Sequence, residues 1–436
     1  MVEIHPFRGI HYNKSLIDEW SAVICDPYDI INQQQQQELY RKSEYNFVRL
    51  EFGRELPQDT VNDNKYTRGA ATLEQWLAQD VLEVDQEPAV YLHDQYFTYN
   101  GKEFRRRGIT ARVRIEGWDR MVIRPHEGTT GEPKGDRLSL LWALKVNTSP
   151  ILAIYQDTEK QISSVLTEQE SKQPLMDLKK TDGEGHTVWA ITDPGAISQI
   201  SGSLTGQPLY IADGHHRYES AMAYQQERLA YSKSASGNEP FNFVMMTMVD
   251  FTDPGLIILP PHRLVRGIPR AVLNELAGKL EVFFEIEELP LSMAGVWQHV
   301  DRVLLSRDDI RLVLFGLDRG SLYLLRLRDM NMVSQMMPHF HSDLYKNLDV
   351  SIVDHIVLEK LLAMSSDDEK ANLDYSYDRL DAVNKVLNQE YQLVFLLRPV
   401  RAEIIKGIAD AADRMPRKST YFYPKLPAGL VINQLV

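Results

Sequence analysis

Five consecutive residues, Asp213-Gly214-His215-His216-Arg217, bring a carboxylate, two imidazoles and a guanidinium into one short stretch of chain. The apolar run Leu209-Tyr210-Ile211-Ala212 before them reads as a short buried strand, Asp213-Gly214 as a turn, and the pattern from His215 as a helix. That order puts both histidines and Arg217 in a first helical turn, where unpaired backbone N–H groups and the positive end of the helix dipole attract anions. Arg217 adds a permanent charge with a planar donor fork, the imidazoles add titratable donors, and Gly214 lets a ligand reach the backbone without meeting a Cβ. Phosphate or carboxylate binding is the chemistry this set suits. The plainer alternative is that Asp213 caps the helix and the histidines fill local hydrogen-bond roles. A stripe of Tyr218, Ala221, Met222 and Leu229 is expected to seat the helix on its core and hold the turn rigid.

A second stretch, residues 124–137, is dense in acid, base and cation groups. Its glycines and prolines predict a loop up to Asp136, where a helix with the stripe Leu140, Leu141 and Leu144 begins. Such a loop suits a lid or catalytic segment, and the adjacent His126 and Glu127 suit general acid or base work. Lys134 and Arg137 add cations, although Asp136 could be a simple cap and Lys134 merely solvated. The tail, residues 415–425, combines cations, hydroxyls and aromatics. It could fold back over the central box, with Lys418 and Ser419 meeting an anion and Tyr421 or Tyr423 covering a flat ring; it also reads as a strand with alternating buried aromatics.

These stretches, together with Pro6-Phe7-Arg8-Gly9 and Asp26-Pro27-Tyr28-Asp29, resemble the recurrent segments of a bacterial and archaeal family known as domain of unknown function 1015. The likeness runs in order along nearly the whole chain. More distantly, Gly214-His215-His216-Arg217 resembles the Gly-Cys-His-Arg turn of sulfiredoxin, in the ParB and sulfiredoxin superfamily, which includes free serine kinases and whose members bind nucleotides. His215 stands where that turn has its nucleophilic cysteine, which excludes the sulfur chemistry at this position. The resemblance implies a mixed α/β or α+β chain, with a ParB/sulfiredoxin-like nucleotide-binding domain over 1–265 and a second, smaller α/β domain over 266–436 whose tail can return to the site. It implies a nucleotide, ATP or ADP with magnesium, held by Gly214, His215, His216, Arg217, Lys134, Arg137 and Lys418, with His126, Glu127 and Asp213 as catalytic groups.

The leading expectation is therefore a phosphotransferase acting on a small hydroxyl-bearing metabolite, with Glu127 or Asp213 orienting or deprotonating the acceptor. No Gly-x-x-x-x-Gly-Lys loop stands near a strand, so an ordinary P-loop mechanism is excluded. The alternative is a non-catalytic, nucleotide-gated regulatory protein. A third reading, a metal-dependent hydrolase, rests on His215, His216 and Glu219, of which His215 and Glu219 share a helix face without forming a His-Glu-x-x-His motif.

The elements that must position these groups follow from patterning. Helices are expected over 33–40, 66–79, 162–167, 270–280, 293–306, 351–364 and 379–388. Strands are expected over 23–25, 46–52, 151–155, 187–191, 243–251, 256–259, 311–317, 321–327 and 392–397. A hairpin over 89–99 and 108–115 turns at Asn100-Gly101, and residues 232–240 read as a polar linker. Three side features carry no assigned function: the five glutamines from Gln33 as a solvated face, Arg105-Arg106-Arg107 as a solvated sheet edge, and His355 as a core histidine with a local partner. His262-Arg263 could complete an anion site or pack at the surface.

With 48 basic and 61 acidic residues the net charge is −13, which argues against an extended nucleic-acid surface and leaves room for a small cationic pocket. The single cysteine, Cys25, fits a reducing cytoplasm. The N-terminal residues lack a secretory pattern, and no apolar run approaches the roughly 18 residues that span a bilayer, so a cytoplasmic protein with no membrane contact is expected.

Overall fold

The computed structural model describes residues 1–129, 131–179, 183–231, 236–306 and 309–436. Thr130 of the expected loop and residues 232–235 of the expected linker lie outside the described residues. The chain forms two compact units. Unit 1 comprises Met1–Pro125, Thr129–Ile257 and Pro424–Val436; unit 2 comprises His126–Gly128 and Ile258–Tyr423. Together they make a mixed α/β protein with a large mixed sheet in one unit and an antiparallel sheet in the other. Among the described residues no helix is long and apolar enough to cross a membrane.

In unit 1, nine strands among the described residues form one sheet: β1 (Ile4–His5), β2 (Val90–Tyr99), β3 (Lys102–Arg114), β4 (Ile123–Arg124), β5 (Ile151–Tyr155), β6 (Met176–Lys179), β7 (Gly185–Ile191), β8 (Leu209–Asp213) and β9 (Phe243–Asp250). Their order is β4-β8-β5-β9-β3-β2-β7-β6, with β1 beside β3. The β8–β4 and β9–β5 pairs are parallel and the others antiparallel. β2 and β3 are the expected hairpin: Asn100 and Gly101 both take positive φ, 50° and 74°, as a tight two-residue turn requires.

Period-two alternation sorts the sheet's side chains. Val90, Leu92, Val244, Met246 and Met248 join one core cluster with Tyr218 and Ala221. Tyr91, Met245 and Val188 join another with Leu430 and Val431 of the C-terminal segment. Both faces of the central strands are therefore covered, which is why β5 and β9 read as continuous apolar runs.

The helices of unit 1 are α1 (Gln33–Lys42), α2 (Val48–Glu51), α3 (Lys65–Ala78), α4 (Gly131–Leu144), α5 (Gln161–Gln169), α6 (Pro194–Leu204) and α7 (His215–Tyr231). Asn32 and Asn64 open α1 and α3 with reciprocal capping boxes through Gln35 and Thr67. A third core packs Phe47, Val48, Leu50, Leu73 and Trp76 against Leu140 and Leu144 of α4 and against Ala428 and Ile432.

Unit 2 carries a six-stranded antiparallel sheet among its described residues: β10 (His262–Val265), β11 (Phe284–Pro290), β12 (Arg311–Phe315), β13 (Ser321–Leu327), β14 (Leu373–Ser376) and β15 (Leu393–Leu396), in the order β11-β13-β12-β15-β10-β14. α9 (Val296–Leu305) follows α8 (Arg270–Phe283) in the chain, and its Val296, Val300 and Val303 pack onto Val313, Phe315, Leu322 and Val394. His355 has the expected local partners, Tyr345 Oη at 2.8 Å and Glu359 at 3.0 Å.

Several expectations are corrected. Residues 46–52 form the helical turn α2, not a strand, because the Asn46 side chain accepts the Val48 N–H at 3.0 Å and donates to the Ala22 carbonyl at 2.7 Å. Of 23–25, only Cys25 pairs as a strand residue, in a single bridge to Ala428. α4 starts at Gly131, so Asp136 lies inside the helix and does not begin it. Leu229 is 39% exposed and Tyr224 takes the place expected for it in the core. His262 and Arg263 are buried in β10 and do not pack at the surface: the His262 ring accepts the Leu397 N–H, and burial pushes its pKa down to about 3.

Arg105-Arg106-Arg107 is not the solvated edge expected: it pairs with β2 on one side, on the other the Arg107 N–H donates to Asp253 at 3.1 Å, and of the three only the Arg105 side chain is well exposed. The Arg107 guanidinium grips fully buried Asp94 through two hydrogen bonds, of 2.7 and 2.5 Å. Arg106 is 1% exposed and donates to Gln95 Oε1 at 2.5 Å and to the Pro424 carbonyl at 2.6 Å. Burial lowers its pKa to about 10. Arg106→Met should lower unfolding stability by about 2–4 kcal/mol, since it leaves both acceptors unpaired in the interior. A urea midpoint within error of the parent chain would contradict this role.

Candidate functional site

The central box sits where β8 hands over to α7. The β8–β5 register slips between Ile211 and Asp213, a bulge that re-aims the end of the strand just before the turn. Gly214 takes φ +92°, and a Cβ there would stand 2.9 Å from Arg217 Nε, so both its conformation and its surroundings call for glycine. α7 begins at His215, and the Tyr218 N–H closes the first turn on the Gly214 carbonyl at 3.0 Å. The strand, turn and helix therefore fall where the sequence places them. His215 is buried and His216 half-buried in the first turn.

Asp213 is the electrostatic centre of this turn. Its Oδ1 accepts from Lys425 Nζ, and its Oδ2 accepts from Arg217 Nη2 at 2.7 Å. Burial pushes the carboxyl pKa up, but Lys425 and Arg217 outweigh it and hold Asp213 well below the usual carboxylate range. Arg217 Nη1 reaches the Pro150 carbonyl at 2.5 Å and Ser149 Oγ at 3.2 Å. Arg217 Nε is buried and has no hydrogen-bond partner. Much of the donor fork expected to meet an anion is thus held by the protein itself, and one donor is left over.

α4 packs along α7. Ser220 Oγ donates to the Lys134 carbonyl at 2.8 Å, Lys134 Nζ stands 3.8 Å from Glu219, and Thr129 Oγ1 donates to Glu219 at 2.6 Å. Arg137 is turned inward. It pairs with Asp136 through two bonds, of 2.8 and 2.5 Å, donates to the Glu51 carbonyl at 2.9 Å and lies 3.9 Å from the centre of the Tyr28 ring. Asp136 also binds Lys65 at 2.7 Å and Tyr66 Oη at 2.8 Å. Burial alone would raise its pKa; Arg137 and Lys65 bring it down to about 2. Arg137 and Arg217 both line a cavity of about 30 Å³ beside Asn147, Thr148 and Ser149.

The remaining expected residues belong to unit 2. Glu127 Oε1 accepts the backbone N–H groups of Ser419 and Thr420, both at 3.1 Å, and the Thr420 hydroxyl at 3.0 Å. His126 is buried, with Nε2 2.9 Å from Thr420 Oγ1. Lys418 is exposed in the left-handed region, φ 53°, and its carbonyl accepts from Arg263 Nη1 at 2.8 Å. Arg263, fully buried, also pairs with Asp354 at 3.2 Å. Tyr421–Tyr423 forms the expected strand, with Phe422 buried and Tyr421 stacked 3.8 Å from Tyr377.

Sequence reasoning missed Lys425, Ser149 and Glu51 as parts of these networks. Lys425 carried a signal, as a cation in a motif-like tail. Glu51 carried none: it is fully buried, its Oε1 accepts from Ser149 Oγ at 3.1 Å, and its Oε2 has no partner.

Because the folded pKa of Asp213 is depressed, its contribution is complete above the unfolded carboxylate value near pH 4 and is lost as pH falls below that toward the folded value. Lys425→Met removes one of the two cations and should destabilise the protein by about 3 kcal/mol at neutral pH. The variant should also lose less additional stability than the parent between about pH 4 and pH 2. Parallel pH–stability curves for the two proteins would show that Lys425 does not hold the Asp213 charge.

Among curated proteins none matches the chain. Solved structures do. A conserved hypothetical protein from Pyrococcus furiosus shares 14% identity, with 76% of this chain and 97% of that chain covered at a TM-score of 0.36. A free serine kinase in complex with AMP shares 13% identity, with 74% and 91% covered at 0.35. SbnI from Staphylococcus aureus, truncated at its C-terminus, shares 10%, with 74% and 87% covered at 0.35. Residues 4–351 match the family described as protein of unknown function, DUF1015, and the chain belongs to that family.

Proposed function

We propose that the turn from β8 into α7 holds the phosphate end of a nucleotide, ATP or ADP, and that this protein transfers a phosphoryl group to a small hydroxyl-bearing metabolite. The observation that carries this reading is Arg217 Nε, a buried donor without a partner that abuts Gly214 in the first turn of a 17-residue helix. His215 and His216 belong to the same first turn, and Lys134 lies on the neighbouring α4. An anion at this helix start would gain backbone N–H groups, the helix dipole and a charge-assisted bond together. On this reading the turn is the counterpart of the sulfiredoxin Gly-Cys-His-Arg turn, and unit 1 holds the ParB/sulfiredoxin-like domain.

Magnesium carried on the nucleotide would neutralise phosphate charge. His216 and Arg217 would orient the phosphates. Asp213, held ionised by two cations, is a weak base that can orient an acceptor hydroxyl better than it can deprotonate one; Glu127 belongs to unit 2, where it holds the backbone of Ser419 and Thr420, and takes no part in this proposal. The metal-hydrolase reading is not carried forward: among the described residues no three His, Cys, Asp or Glu side chains gather as a metal site.

One observation favours the regulatory alternative. Arg217 ties Asp213, Ser149 and Pro150 together, so an anion that drew its guanidinium would disturb several segments at once.

Titration calorimetry with ATP, ADP and AMP, with and without magnesium, tests binding, and phosphorus NMR with a panel of small alcohols tests transfer. His216→Ala and Arg217→Lys should each weaken nucleotide affinity by about tenfold or more. Unchanged affinity in both phosphate-site variants would sink the reading; tight binding without transfer to any acceptor would favour the gated regulator.

A further inference from the structure

We propose that unit 1 carries a second anion site, in the cleft walled by α1, α2 and α3, and that it takes a small phosphorylated molecule bearing two or more negative charges. The cleft has a volume of about 690 Å³, within the range of small-molecule sites, and none of residues 213–217 lines it.

One wall is a single face of α1. Gln33, Gln36, Gln37, Tyr40 and Arg41 all line the cleft, and their spacing of three, four, seven and eight from Gln33 is that of one helical stripe. α1 has no fully buried residue; within the stripe Tyr40 packs against the core, while Gln33, Gln37 and Arg41 are exposed. The glutamine run, read from sequence only as solvated, thus supplies amide donors and acceptors to a concavity. Gln36 Nε2 is used internally, at 2.8 Å from the Phe52 carbonyl, whereas Gln33 and Gln37 are exposed.

Charge decides the ligand class. Arg41, Arg49, Arg54 and Lys65 line the cleft against the single carboxylate of Glu55, in a chain whose net charge is −13. A concave cationic surface focuses a positive potential locally, so that on this acidic chain small anions are drawn to the cleft and repelled elsewhere.

Three of the cations are also fixed in place. Arg49 donates to the carbonyls of Glu44 and Tyr40 at 2.8 and 3.1 Å, and its guanidinium lies 4.3 Å from the centre of the Tyr40 ring. Arg54 lies 3.9 Å from the same ring, and its backbone N–H donates to Tyr40 Oη at 3.1 Å. Its Nε is buried and has no hydrogen-bond partner. A guanidinium oriented by stacking, with an unused donor, suits fork recognition of a phosphate. Lys65 is anchored by Glu55 at 2.9 Å and Asp136 at 2.7 Å, so it adds a positive potential more than a free donor.

The test uses the full-length protein and inorganic pyrophosphate, titrated by calorimetry at low and high salt. Binding should be saturable and weaken with salt. Arg41→Glu, at an exposed position, and Arg54→Lys, which keeps charge but loses the fork, should each reduce affinity by about tenfold or more. The urea midpoint of Arg41→Glu should stay at the parent value, and His216→Ala should leave pyrophosphate affinity in the cleft intact. That last variant separates this site from the turn proposed for the nucleotide. The proposal is overturned if pyrophosphate does not bind saturably, if both cleft variants bind it as the parent does, if His216→Ala alone removes binding, or if only a polyglutamate peptide binds.

Discussion

A half-buried carboxylate held between two cations organises the turn on which unit 1 depends. Asp213 meets Lys425 from the last segment of the chain and Arg217 from its own helix. Isolated, a carboxylate at this depth would be neutral or would destabilise the fold; with both cations present it stays ionised and ties together elements far apart in sequence. Arg217 extends the tie to Ser149 and Pro150, beside β5. Gly214 is part of the same constraint, because its missing side chain leaves room for that guanidinium. Any ligand at this helix start therefore binds to an electrostatic network that is already complete on most sides, with Arg217 Nε as the donor left over.

Similar networks carry the rest of the polar architecture. Asp136 gathers Arg137, Lys65 and Tyr66, joining α4 to α3, while Arg137 reaches Glu51 at the end of α2. The cationic cleft beside α1 shares Lys65 with this network, so its shape depends on the Asp136 pairing. Within the sheet, Arg107 neutralises Asp94 and Arg106 secures Gln95 and the Pro424 carbonyl, which anchors the segment that delivers Lys425. Buried charges in this protein are thus placed where they join segments, and a pairing of that kind is sensitive to loss of either partner. In unit 2, Arg263 donates to the Lys418 carbonyl and Glu127 accepts the Ser419 and Thr420 N–H groups, so the two act likewise on residues 418–420.

What was legible in the sequence was local. The change from an apolar run through Asp213-Gly214 to a helical pattern located β8, the turn and α7, since the periodicities differ and glycine marks the positive φ. Asn100-Gly101 located the hairpin for the same reason, and the chemical character of the central box was visible in its composition. Residues 46–52 were not legible: Phe47, Val48 and Leu50 suit a buried strand or a buried turn, and the choice fell to Asn46, which accepts the nearby Val48 N–H and donates to the Ala22 carbonyl 24 positions away.

Charge partners were the larger gap. Three successive arginines look like a solvated edge until β2 pairs with them and Gln95 and the Pro424 carbonyl take up the buried Arg106; Asp136 looks like a cap until Lys65, Tyr66 and Arg137 converge on it. The Asp213–Lys425 pair spans 212 positions, and no local pattern encodes it. Sequence alone determined which groups could do chemistry and which short elements carry them, because backbone conformation responds to near neighbours. Tertiary structure alone decided which of those groups are already paired and which cations share a cleft, because desolvation and pairing depend on what the packed sheet brings within a few ångströms.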